Sequence, residues 1–75
     1  MLPTARVVED VRRKITAGEL LPGEALPTVT AMGETYGVSK TTVLKALSIL
    51  RDEGLIYTVP RWGSFVADKS PGTPD

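Results

Sequence analysis

Apolar residues at Val7, Val8, Val11 and Ile15 fall on one side of a 3.6-residue period, which predicts a first helix with a single buried face. Thr4 stands where its N-cap is wanted, and Glu9 and Asp10 precede Arg12, Arg13 and Lys14 in the order the helix dipole favours. Gly18 reads as the residue that ends it. The period then breaks in ELLPGEALP, where Leu21-Pro22-Gly23-Glu24 has Pro and Gly at the two centres of a type II turn. Val29, Met32 and Tyr36 predict a short second helix, capped by Thr28 and broken by Gly37. Val38 is apolar inside a tight turn and is expected to tuck beneath it. Ser39 caps a third helix that buries Val43, Ala46, Leu47 and Leu50, and Gly54 stops that helix. From Leu55 the texture changes. LIYTV and SFVA are β-branched and aromatic, PRWG lies between them, and together they predict a β-hairpin. The fold class is therefore mainly α with a small β-hairpin: three helices and a two-stranded ribbon over residues 1–67. DKSPGTPD, residues 68–75, reads as a disordered tail or the start of a linker.

Composition narrows the class of function. The 75 residues include neither Cys nor His, so thiolate nucleophiles, an imidazole base and disulfides are excluded. Ser39 and Lys40 are neighbours on a helix and do not face each other, and the acidic pairs Glu9/Asp10 and Asp52/Glu53 lack the opposed geometry of paired carboxylates. An enzyme is not expected, nor are cofactors or metal sites. No apolar run reaches the roughly 18 residues of a membrane helix, and MLPTARVVED is not a signal peptide, so a soluble cytoplasmic chain without membrane contact is expected. The formal net charge is zero, unlike the basic balance usual in nucleic-acid binders. Its distribution matters more. Residues 38–67 hold Lys40, Lys45, Arg51 and Arg61 against only Asp52 and Glu53, so the positive excess lies around the third helix and hairpin.

That helix begins within GVSKTTVLKAL, with hydroxyls and a lysine where a purely structural helix would favour Ala, Glu and Lys. At about 100° per residue, Thr41, Lys45, Ser48 and Asp52 lie opposite the core stripe, with Lys40 and Leu44 on its flanks. Short hydroxyl side chains allow close approach to a groove, Thr and Ser can bond phosphates or base edges, and Lys supplies counter-charge. A helix N-terminus also presents free N–H groups to phosphate. In a helix-turn-helix the start of the second helix meets the bases. A structural reading stands beside this one: Ser39 is an N-cap in either case, and Lys40 and Lys45 could be ordinary solvated charges. From this helix alone both remain open.

The larger pattern settles on one side. ITAGELLPGEALPT, YGVSKTTVLKAL, LRDEGLI and WGSFV stand in an order and spacing that resemble the winged helix-turn-helix domain of GntR-family bacterial transcriptional regulators, across residues 5–67. The resemblance implies a three-helix core with a two-stranded wing, and sequence-specific binding of double-stranded DNA, most often as a repressor at a palindromic operator. It implies base and phosphate contacts from Lys40, Thr41 and Thr42, a backbone contact from Thr28, and a wing-tip glycine at Gly63. Ser39, Thr30, Lys45 and Arg61 complete the expected DNA-facing set. This sequence departs from the family pattern at four positions. Arginines common two residues after Thr28 and at the Leu44 position are here Thr30 and Leu44, the wing's first glycine is Arg61, and its usual basic residue is Trp62. Leu44 is expected to pack against the second helix rather than touch a thymine methyl. Arg61 is expected to reach the minor groove, whereas Trp62 is expected to cover the small core. The run Arg12-Arg13-Lys14 is expected to be mostly solvated, with one member near a flanking phosphate. Family members usually carry a C-terminal ligand-binding and dimerisation domain, so a small-molecule effector would not be held by this segment, and a homodimer is expected only on DNA or through that further domain. The rival function is a winged-helix module for protein–protein contact, which the zero net charge favours.

Overall fold

The computed structural model of the chain describes residues 2–67. It contains α1 (Pro3–Thr16), α2 (Val29–Tyr36), α3 (Lys40–Asp52), β1 (Ile56–Val59) and β2 (Gly63–Val66), the predicted order. One expectation about α1 is corrected: its N-cap is Leu2, without a side-chain cap bond, and Thr4 lies inside the first turn. Pro3 explains this, because its fixed φ and missing N–H suit the first helical position and draw the start two residues earlier. The other ends follow the sequence. Thr28 Oγ1 accepts the Ala31 N–H at 3.0 Å, and Ser39 Oγ accepts the Thr42 N–H at 3.2 Å.

The turn between α2 and α3 is compact for a specific reason. Gly37 takes a left-handed φ of 67°, and both Gly37 and Val38 donate their N–H groups to the Gly33 carbonyl. Gly33 is buried, and a Cβ there would stand 3.0 Å from the Val38 carbonyl oxygen. A side-chain-free residue therefore lets the turn fold onto its own helix, which sets the direction in which α3 leaves.

Val7, Val8 and Val11 of α1, Met32 of α2, Val43, Ala46, Leu47 and Leu50 of α3, and Ile56 and Val66 of the hairpin make one core. All four residues predicted on α3 are buried, and Val38 packs against the cluster from the turn. Leu26, from the segment linking α1 to α2, closes it. That segment does more than turn. Leu21-Pro22-Gly23-Glu24 forms the expected turn, with Gly23 at φ 82° and Glu24 N–H to Leu21 carbonyl at 2.9 Å. Residues 23–26 then lie antiparallel beside β2: Gly23 N–H reaches the Val66 carbonyl at 2.8 Å, Leu26 N–H reaches the Ser64 carbonyl at 2.8 Å, and Val66 N–H reaches the Glu24 carbonyl at 2.9 Å. The hairpin thus has a short third edge that the sequence did not announce, because its pairing depends on a partner forty residues away in the chain.

β1 and β2 are antiparallel, with Ile56 opposite Val66 and Thr58 opposite Ser64. Alternation puts these four on one face. Ile56 and Val66 are buried in the core, and Thr58 and Ser64 continue the same face towards the tip. The other face carries Tyr57 stacked on Phe65 at 5.7 Å between ring centroids. Residues 68–75, the predicted tail, lie outside the described residues.

Candidate nucleic-acid interface

The amino-terminal turn of α3 stands clear of the core. Ser39, Lys40, Thr41 and Lys45 are exposed, and among the described residues Lys40 and Lys45 make no ion pair. Thr42 is half-buried. Its Oγ1 accepts the Ser39 hydroxyl at 3.1 Å while its N–H donates to Ser39 Oγ, so the two hydroxyls lock each other and brace the first turn. The free polar surface of this turn therefore comes from Lys40, Thr41 and Lys45, with Ser39 and Thr42 holding it. Thr28 and Thr30, at the start of α2, are both exposed; the Thr28 side chain is occupied as a cap.

The wing supplies the second part of the site. Trp62 N–H closes a turn on the Val59 carbonyl at 3.0 Å, with Pro60 and Arg61 at its centre. Arg61 takes φ 72°, the one positive φ at a non-glycine among the described residues, at the place where a type II turn wants Gly. Gly63 follows at φ 114°. Arg61 and Gly63 are exposed, and Arg61 has no ion-pair partner among the described residues.

Two expectations are corrected here. Trp62 does not cover the core: it is 78% exposed, because the turn that puts Arg61 in the left-handed region carries the indole out at the tip. Leu44 does not pack against α2: it is 56% exposed, one step off the buried stripe. The Arg12-Arg13-Lys14 run keeps solvent contact, Arg13 exposed and Arg12 and Lys14 half-buried, and its charges are also paired. Arg12 pairs with Glu9 and with Glu53, the latter at 2.6 Å, Arg13 pairs with Asp10, and Lys14 Nζ lies 3.3 Å from Asp10. The Tyr36 hydroxyl donates to Asp10 at 2.6 Å and holds that carboxyl below its ordinary pKa, with Arg13 and Lys14 adding to the effect. Burial and the same carboxylate push the Tyr36 hydroxyl up to about 12. Arg6 donates to the Tyr36 carbonyl, so the four cations of α1 serve the fold.

The structure adds one group that sequence reasoning missed. Arg51, near the end of α3, reaches Thr58 Oγ1 at 3.3 Å, and Thr58 meets Ser64 Oγ at 3.2 Å. This bridge ties the wing to α3. The period-two alternation that places Thr58 and Ser64 beneath Ile56 and Val66 is the signal that points to it.

Exposed cations and hydroxyls thus stand on the first turn of α3 and at the wing tip, and the Arg51–Thr58 bridge joins these two elements. Known proteins share this arrangement. Residues 3–66 match the family model for bacterial regulatory proteins of the gntR family. The Mannosyl-D-glycerate transport/metabolism system repressor MngR of Escherichia coli (strain K12) is 34% identical over 85% of this chain and 27% of its own length. The HTH-type transcriptional repressor NagR of Bacillus subtilis (strain 168) is 39% identical over 83% of this chain and 26% of its own length. The chain therefore spans about a quarter of these relatives. Among solved structures, AraR(DBD) in complex with operator ORX1 superposes with a TM-score of 0.87 at 36% identity, covering 89% of this chain and 81% of that one. The complex with operator ORR3 gives 0.86 at 38% identity, covering 89% and 82%. The three-helix body and its hairpin are a winged helix-turn-helix, and the chain belongs to the GntR family of bacterial regulatory proteins.

Proposed function

We propose that this domain binds double-stranded DNA sequence-specifically, as the operator-reading part of a transcriptional repressor. The observation that carries this reading is the exposed first turn of α3, where Lys40, Thr41 and Lys45 project without hydrogen-bond or ion-pair partners from their side chains among the described residues. In this reading α3 enters the major groove of one half-site, with Lys40, Thr41 and Thr42 nearest the bases. Lys45, Thr28, Thr30 and the free helix N–H groups near Ser39 face phosphates. Arg61 and the Gly63 backbone lie over the flanking minor groove. Two copies occupy a palindrome, on DNA or through a further domain, and occlude a promoter. The operator-bound AraR(DBD) structures and the repressors MngR and NagR support this assignment. The chain acts in the bacterial cytoplasm, where its DNA is. Catalysis is no part of the reading, since the sequence has no His or Cys to supply a base or thiolate.

Titrating the isotopically labelled chain with a randomised duplex at low salt tests this. Amide shifts are expected at residues 28–30, 39–45 and 61–63. Shifts confined to the Tyr57–Phe65 face, or none, would instead favour a protein-contact module. Lys40→Ala or Thr41→Ala costs about 1–3 kcal/mol of affinity at one base position if that side chain reads a base, and less, evenly across sequences, if it meets phosphate alone.

A further inference from the structure

Two large apolar side chains on the elements that carry the unpaired cations are left in solvent: Leu44, in the first turns of α3, at 56% exposure, and Trp62, at the wing tip, at 78%. Their placement follows from contacts already described. Leu44 and Arg51 are seven residues apart, hence on the same flank of α3. Arg51 reaches the hairpin at Thr58, so that flank is the one that looks towards the wing. Leu44 lies two turns nearer the helix start, four residues on from Lys40 and beside it on the surface. Trp62 lies at the free end of the same hairpin, beyond Thr58 and Ser64.

The tip is held there at a conformational cost. Arg61 occupies a left-handed φ of 72° that glycine would adopt without strain. Backbone strain of this kind persists where the surroundings over-determine it, and it concentrates where a side chain must be aimed. The charges point the same way. Of the described cations, the four on α1 are engaged within the fold and Arg51 bonds to Thr58, leaving Lys40, Lys45 and Arg61 for a phosphate backbone. Three cations give weak electrostatic binding, and Leu44 and Trp62 are exposed apolar groups on the same two elements, α3 and the wing.

We propose that Leu44 and Trp62 are specificity-determining contacts: Leu44 against a thymine C5-methyl in the major groove, and Trp62 against the sugar and base edge of the adjoining minor groove. The inference rests on the DNA-binding reading above and deepens it. Each base pair presents a distinct pattern in the major groove, and the thymine methyl is its one apolar feature. Apolar and aromatic side chains are the ones that wedge or stack at the minor-groove face, where they need no charge.

The test uses the whole 75-residue chain and a duplex enriched from a random library by that chain. Replacing each thymine in turn by uracil removes only the methyl. Wild-type binding is expected to weaken about fourfold at one or two positions, the equivalent of one methyl leaving apolar contact. Leu44→Ala is expected to bind more weakly and to lose that discrimination. Trp62 is the sole tryptophan, so intrinsic emission reports it alone, and it should shift to the blue and quench as the duplex saturates. Trp62→Lys should abolish any preference at the flanking base pairs and steepen the salt dependence. A bound complex with a flat uracil series overturns the Leu44 assignment, and one with unmoved emission overturns that of Trp62. Failure to enrich any duplex overturns the DNA-binding reading itself, which separates the two outcomes.

Discussion

Arg61 sits in a backbone conformation that L-residues adopt at a cost, and nothing internal to the described fold compensates its side chain. Arg61→Gly should therefore stabilise the domain by about 0.5–1 kcal/mol, raising the thermal midpoint by about 3–6 °C, while weakening affinity for the enriched duplex. Calorimetry of the two proteins and a parallel titration would show the two effects with opposite signs; a variant less stable than the parent would refute the strain. Ser39→Ala should behave differently. The hydroxyl caps α3 and braces Thr42, so its loss costs about 1 kcal/mol of stability, and chemical denaturation should register this without any DNA present. Capping residues such as Thr28 and Ser39 were legible from sequence because a cap is decided by its immediate neighbours. Trp62 and Leu44 were not. Both were assigned to packing on the rule that large apolar groups are buried, a rule that runs one way only and says nothing about a tip aimed outward by its own turn.

Between elements, the fold depends on a few polar ties laid over the core. Tyr36 fastens the end of α2 to Asp10 of α1, and Arg12 fastens α1 to Glu53 at the end of α3. Asp10 titrates below its ordinary value of 3.8 in the folded chain, so the unfolded chain takes up the proton first. The stabilisation is complete above pH 3.8 and is lost as the pH falls through the folded value. At the alkaline end, Tyr36 loses its proton near 10.0 when unfolded and near 12 when folded, so stability falls again across that interval. Tyr36→Phe should cost about 1–2 kcal/mol at neutral pH, make the acid limb shallower and remove this contribution at the alkaline end, as urea unfolding across the pH range would record. Gly33→Ala tests the turn. The added methyl meets the Val38 carbonyl at 3.0 Å, and the strain should outweigh the gain in helix propensity for a net loss of about 1 kcal/mol. Helix and hairpin boundaries, the start of α1 apart, were readable because their periods are local. The pairing of residues 23–26 with β2 was not, since prolines at 22 and 27 mask a strand too short to show alternation. The pairing of the α1 cations was half readable: Glu9 and Asp10 stand three residues before Arg12 and Arg13, but Glu53 is reached only through the tertiary fold.

At the scale of the molecule, zero net charge and the proposed DNA-facing surface are compatible because of where the ion pairs fall. Glu9, Asp10 and Glu53 are drawn into pairs with the cations of α1, and among the described residues the cations without an ion pair, Lys40, Lys45, Arg51 and Arg61, stand on α3 and the wing. About three phosphate contacts per domain should give a slope of log K against log salt near −3, shallower than for a strongly basic reader of the same size, and fluorescence titration between low and moderate salt would measure it. The three backbone hydrogen bonds that join residues 23–26 to β2, with the Arg51–Thr58 bridge to β1, tie both strands of the wing to the rest of the domain. Reading helix and wing consequently form a caliper of set span. Where an operator's groove width does not match that span, the duplex must do the bending, so discrimination extends to base pairs that no side chain reaches.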